Sequence, residues 1–178
     1  VDRVMAAGRP AVTMCAEFHV TAGSYFCERG VITEAEGDQP GSLAALNEEA
    51  VGMGFHPLVY GNIKGFLNHN PIREEVEHWA RRGGISPVQV TSFTDGTKLQ
   101  IENALVANGL GATIMQRGMI GLEDVMLEDA ALFYGRKALS IHKTITDYVL
   151  NPRLPSGVFI VAEHQTEPPD VLRYYKLG

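Results

Sequence analysis

The residues Ser92-Phe93-Thr94-Asp95-Gly96-Thr97-Lys98 carry the densest chemistry of the chain. Leu99, Ile101, Leu105 and Val106 follow at helical spacing as far as Gly109, so Lys98 falls in the first turn of a helix capped by Thr94 or Asp95. The free N–H groups of a helix start carry partial positive charge, and an acidic residue is the usual occupant there. Glu102 lies one turn C-terminal to Lys98, the weaker ion-pair orientation, so helix stability does not explain the lysine. A partly buried lysine at such a position is disfavoured in its charged form and can exchange a proton with a substrate hydroxyl or carbonyl. The competing reading has Lys98 snorkelling to water while Asp95 merely caps. Lys64, flanked by Gly61 and Gly65, suits a phosphate or carboxylate, because glycine lets backbone approach a ligand closely. Lys98, Asp95 and Lys64 are thus the catalytic candidates, and Asn62, Asn68, Glu102 and Asn103 the substrate-binding ones.

Other chemistries find little support. No glycine-rich phosphate loop is present, and Gly109-Leu110-Gly111 follows a helix, where it reads as a C-terminal cap. The six histidines are scattered and lack metal-binding spacing. Asp38, Asp95 and Glu102 would hold a divalent ion only if the fold gathers them, with capping or solvation as the alternative. Cys15, expected in a strand, and Cys27, expected in the next helix, are too few for a disulfide framework, and a reducing cytoplasm is the expected location. Without a Cys-His signature, Cys27 reads as a small buried hydrophobe.

With 178 residues, 45% hydrophobic and 20% charged, the chain can bury an ordinary globular core. Its net charge of -6 argues against nucleic acid and anionic membrane as partners and leaves a small anionic substrate possible. No apolar run approaches a membrane span. Beginning at Val1 and closing on the alternating run from Val171 to Gly178, the chain reads as a piece of a longer protein.

Elements that position these residues follow from periodicity. Strands are expected at Ala11 to Ala16, Val31 to Glu36 and Phe55 to Tyr60, with helices at Thr21 to Arg29 and Ser42 to Met53 between them, Pro40 suiting the first helical turn. Strands so joined imply a parallel sheet whose ligands collect at the carboxyl ends. Those ends hold Glu17 and His19, then Asp38 and Gln39, then Gly61 to Gly65. Beyond a boundary near residue 65, helices are expected at Ile72 to Arg82, Lys98 to Asn108, Leu122 to Tyr134 and Lys137 to Tyr148, with Val76, Trp79 and Ala80 facing inward. An antiparallel pair, Gly157 to Ala162 with Val171 to Tyr175, closes the pattern. The fold class is therefore α/β: the C-terminal half of a Rossmann-type parallel sheet over residues 1–65, then a mainly helical α+β catalytic and oligomerisation region over residues 66–178.

The segments Ala16-Glu17-Phe18-His19-Val20-Thr21-Ala22-Gly23, Gly37-Asp38-Gln39-Pro40-Gly41, Gly61-Asn62-Ile63-Lys64-Gly65 and Thr94-Asp95-Gly96-Thr97-Lys98 resemble the DRL-like oxidoreductases. These are NAD(P)-dependent enzymes similar to homoserine dehydrogenase, usually ending in a SAF domain, and related to the reductoisomerase that makes methylerythritol phosphate from deoxyxylulose phosphate. The resemblance implies a Rossmann half upstream, a SAF module downstream, NADP or NAD as cofactor and a homo-oligomer. It implies that Asp95 and Lys98 serve substrate binding and proton transfer, and that Glu17 and His19 contact the cofactor; Asp38, at the second strand end, is the third cofactor-binding candidate. A non-catalytic binding or assembly module derived from such an enzyme is the alternative.

Overall fold

Short apolar runs and helical stretches alternate along the chain, and the computed structural model, which describes residues 1–176, builds an α/β fold from them. In chain order the elements are α1 (Asp2–Ala6), β1 (Ala11–Thr13), α2 (Ala16–Cys27), β2 (Ile32–Glu34), α3 (Gln39–Gly52) and β3 (Phe55–Lys64). Then come α4 (Arg73–Gly83), α5 (Pro87–Thr94), α6 (Thr97–Leu110), β4 (Leu122–Glu123), α7 (Leu127–Ile141), β5 (Ile145–Leu150), β6 (Gly157–His164) and α8 (Pro169–Tyr174). Among the described residues no helix is long and apolar enough to cross a membrane.

Strands β1 and β2 pair in parallel, Ala11 opposite Ile32 and Thr13 opposite Glu34. The third strand does not extend that sheet, as its place in the parallel series suggested. β3 lies instead inside a four-stranded mixed sheet of order β4-β5-β3-β6, parallel to β5 and antiparallel to β6. The reason is length: ten residues present more backbone donors and acceptors than a three-residue neighbour can satisfy. The change of sheet therefore falls between β2 and β3, upstream of residue 65.

Alternation along β3 and β5 divides the core between two faces. Val59, Ile63, Ile145 and Val149 pack with Ala130, Tyr134 and Ala138 of α7. Tyr60 turns the other way and meets Leu43 of α3 and Val106 of α6. Asn62 and Lys64, two and four residues beyond Tyr60, share its face and so point between α3 and α6. At Gly61 a Cβ would collide with the Phe159 ring across the β3–β6 ladder, so only glycine fits.

Several elements differ from the sequence reading. Helix α2 begins at Ala16, not Thr21, with Cys15 extended at its N-cap, so Glu17 and His19 lie in the helix and Cys15 is not in a strand. Both cysteines are exposed, which removes the buried role expected for Cys27. Asn62 and Lys64 are in strand β3 and not in a loop after it. Helix α7 starts at Leu127 and stops at His142, whose φ of 51° is left-handed, and the remainder of the expected final helix is strand β5. Ile145 to Val149 is buried on both faces, so it shows no two-residue alternation to mark it as a strand.

Strand β6 forms, but pairs with β3, and 169–174 is helical because Pro168-Pro169-Asp170 makes a helix start that overrides the alternation after it. Leu177 and Gly178 of the expected strand lie outside the described residues. The region after residue 65 is accordingly built around a sheet as much as around helices. Trp79, expected inside, is 52% exposed.

Candidate active site

The carboxyl ends of β1, β2 and β3 do converge, although they belong to two sheets. Glu17 and His19 stand in the first turns of α2, Glu34 ends β2, Asp38 is the N-cap of α3, and Lys64 ends β3. Helix α6 closes the group from the other side. Its N-cap is Gly96, left-handed at φ 91°, while the Asp95 carboxylate accepts the Thr97 N–H at 2.8 Å, so Lys98 is the second helical residue.

Lys98 does not point into bulk solvent; its side chain is 16% exposed and its Nζ lies 3.2 Å from Asp38 Oδ1 and 3.6 Å from Glu102 Oε1. The Phe93 ring centroid is 5.1 Å from the same nitrogen, a cation–π distance. Lys64 Nζ donates to Gln39 Oε1 at 2.9 Å and lies 3.6 Å from Glu102 Oε2. Asn62, 1% exposed, donates its amide to Gln39 Oε1 at 2.8 Å and to Glu102 Oε2 at 3.4 Å. One buried carboxylate, Glu102, thus sits between two ammonium groups. Asn62 Oδ1 and Glu102 Oε1 are buried without a hydrogen-bond partner among the described residues.

Charge balance reverses the expectation for Lys98. Burial pulls its pKa down, but Asp38, Glu102 and Glu17 together outweigh that, and the value ends above the ordinary lysine range. Burial pushes Glu102 up to about 7; the charge of Asp38 adds to the rise, while Lys64 and Lys98 oppose it. Glu34 is likewise pushed to about 7 by burial and by Asp38 beside it. Its carboxylate meets His19 Nε2, and burial lowers the pKa of that imidazole. Around neutral pH the cluster therefore combines a charged lysine with protonatable carboxyl groups.

The fold thus brings together Lys98, Lys64, Asn62, Glu102, Glu17, His19 and Asp38. Glu17 enters through Ser92, whose hydroxyl donates to Glu17 Oε1 at 2.9 Å. Three candidates lie apart from the ammonium groups. The Asp95 carboxylate is taken up by the Thr97 N–H at the start of α6. Asn68 donates to Glu75 at 3.3 Å. Asn103 is buried, donating to Leu99 O at 2.9 Å and accepting from Thr146 Oγ1 at 2.6 Å.

Glu34 joins the site unexpectedly, and Gln39 and Phe93, which lie in segments already noted but were given no role, join it as well. Gln39 was visible as a residue at the second strand end, but nothing local distinguishes Glu34 from a solvated carboxylate. Phe93 also walls a largely apolar cleft of about 1150 Å³, shared with Phe66, Trp79 and Arg82, whose guanidinium lies 5.2 Å from the Trp79 ring centroid.

The family described as oxidoreductase DRL, catalytic domain, matches residues 37–178, which is most of the chain. The chain belongs to that family. Its matched segment begins just after β2 and includes Asp38, Lys64, Lys98 and Glu102. An oxidoreductase role follows for the DRL catalytic domain. No curated protein matches the chain.

Proposed function

We propose that this DRL catalytic domain handles the substrate and its proton in an NAD(P)-dependent, homoserine dehydrogenase-like oxidoreductase acting on a small anionic carbonyl or hydroxy compound. The observation that carries this reading is the sharing of buried Glu102 by Lys64 and Lys98 where the strand ends meet. In the reducing direction, a reduced nicotinamide would supply the hydride to the carbonyl carbon. Lys98 gives a proton to the carbonyl oxygen as negative charge develops there, a role suited to a lysine held in its charged form. Glu102, 3.6 Å away and protonatable near neutral pH, can return a proton to the lysine. Lys64 balances the anionic group of the substrate, and the unpartnered Asn62 Oδ1 accepts from a substrate hydroxyl.

The donor set fits the reacting end of such a complex, with two cations for oxyanions and buried free acceptors for hydroxyl or amide protons. The pyrophosphate of a dinucleotide needs a glycine-rich turn, and none lies in these 178 residues, so a segment outside them would hold it. On this reading residues 1–36, with their β1-α2-β2 unit, are the end of a dinucleotide-binding part. A divalent ion does not fit the residues present. Asp95 is not gathered with Asp38 and Glu102, and among the described residues no three His, Cys, Asp or Glu side chains form a metal site.

The test is nicotinamide absorbance on the full-length protein with NADPH or NADH, using homoserine and deoxyxylulose phosphate among a panel of anionic polyols and carbonyl compounds. Turnover of one panel member that collapses in Lys98→Met is the expected result. Binding of a panel member with no redox turnover would instead favour a non-catalytic module.

A further inference from the structure

Helix α7 packs on the four-stranded sheet through Ala130, Tyr134 and Ala138, all buried. Its outer face carries Leu132, 61% exposed, and Phe133, 37% exposed, with Met126 and Leu139 toward its ends. A groove of about 510 Å³ follows this face, lined by Asp129, Leu132, Phe133, Arg136, Lys137 and Ser140. Asp129 and Arg136 are seven residues apart and so fall on nearly one line along the helix, with Leu132 and Phe133 to either side of it at the midpoint.

Charge is ordered along the same line. Glu128 and Asp129 occupy the first turn, and Arg136 and Lys137 follow the apolar midpoint. The last turn contains no basic residue, so the helix dipole does not account for the two cations. None of the ion pairs among the described residues engages any of the four. Such an order is complementary to itself when reversed. A two-fold axis between Leu132 and Phe133, perpendicular to the helix, would lay a second α7 antiparallel on the first. Leu132 and Phe133 would each meet their own copies, and Asp129 of either chain would face Arg136 of the other.

We propose that the outer face of α7 is an isologous interface and that its partner is a second copy of this chain. Acid at one end, base at the other and an apolar middle match that partner through one symmetry operation.

Sedimentation of the full-length protein over a range of concentrations tests the proposal. The expected result is a dimer whose dissociation constant rises at least about tenfold with Asp129→Arg or with Arg136→Asp, since each places like charges opposite one another. The double exchange restores association to within about threefold of the original, because the opposed charges are again unlike. A monomer at every concentration, a dimer indifferent to both single reversals, or a double exchange that fails to restore it would overturn the interface. Should a reversal disturb folding, Leu132→Cys in a background with Cys15→Ser and Cys27→Ser decides: it cross-links to its own copy on oxidation, and its failure to do so refutes the geometry.

Discussion

At the scale of single residues, Lys98 illustrates how local and tertiary fields compete. A helix start disfavours an ammonium by a fraction of a kcal/mol, up to about 1. The neighbouring carboxylates Asp38 and Glu102, 3.2 and 3.6 Å away, act at partial burial and prevail. Lys98→Met in the full-length enzyme should lower kcat by about 10²–10⁴ while leaving the circular dichroism spectrum unchanged, as removal of a general acid does. Glu102 offers a test needing no substrate. Its folded pKa lies above the ordinary 4.5, near 7, so its contribution to stability is fully present below pH 4.5 and is lost as pH rises through 7. Glu102→Gln should flatten that part of the stability profile, by no more than about 3 kcal/mol across the interval. Urea denaturation at a series of pH values between 5 and 8 would show it; an unaltered slope would contradict the placement of Glu102.

At the scale of elements, the polar anchors are as informative as the apolar ones. Asp147 is fully buried on β5, where its carboxylate accepts the N–H groups of Ile120, Gly121 and Tyr148 at 2.8–2.9 Å and the Tyr134 hydroxyl at 2.9 Å. This ties the loop before β4, and helix α7, to the central sheet. Tyr134→Phe should cost about 1–3 kcal/mol of unfolding free energy, read as a lowered denaturation midpoint, because it leaves buried acceptors short of a donor. Ser86 and Gln89 make a capping box at the start of α5, each bonding the other's backbone. Ser86→Ala should therefore destabilise by about 1 kcal/mol, with faster hydrogen exchange confined to α5. Periodicity gives no helix over 87–94, although Ser86 and Gln89 stand at capping-box spacing around Pro87. Strand β5 was not legible, since Asp147 contradicts an apolar strand until the donors around it are known.

At the scale of the whole molecule, two sheets are joined across a polar seam. The β1-α2-β2 unit lies outside the matched residues 37–178, yet it delivers Glu17, His19 and Glu34 to the same cluster. Its contact with the catalytic part runs through α2 against α6 and through the Ser92–Glu17 hydrogen bond. A unit of two three-residue strands has few backbone bonds of its own. Hydrogen exchange should therefore find α2 opening before β3 or β5, and Glu17→Ala should speed exchange in α2 with little change in the central sheet. Equal acceleration in β3 would show instead that the two parts open as one.

The sequence alone determined the chemistry available and much of its ordering along the chain: a lysine in the first turn of α6, a proline-started α3, polar residues grouped at three strand ends and the motifs of an oxidoreductase family. These are local properties, carried by propensity, capping and spacing within a few residues. Only the tertiary structure decided which sheet received β3, that Asn62 and Lys64 point toward Glu102, and that Lys98 is held charged. Each of those depends on partners far away in the chain, Asp38 being sixty positions from Lys98. Strand pairing and electrostatic fields act through space, and no window of neighbouring residues contains them.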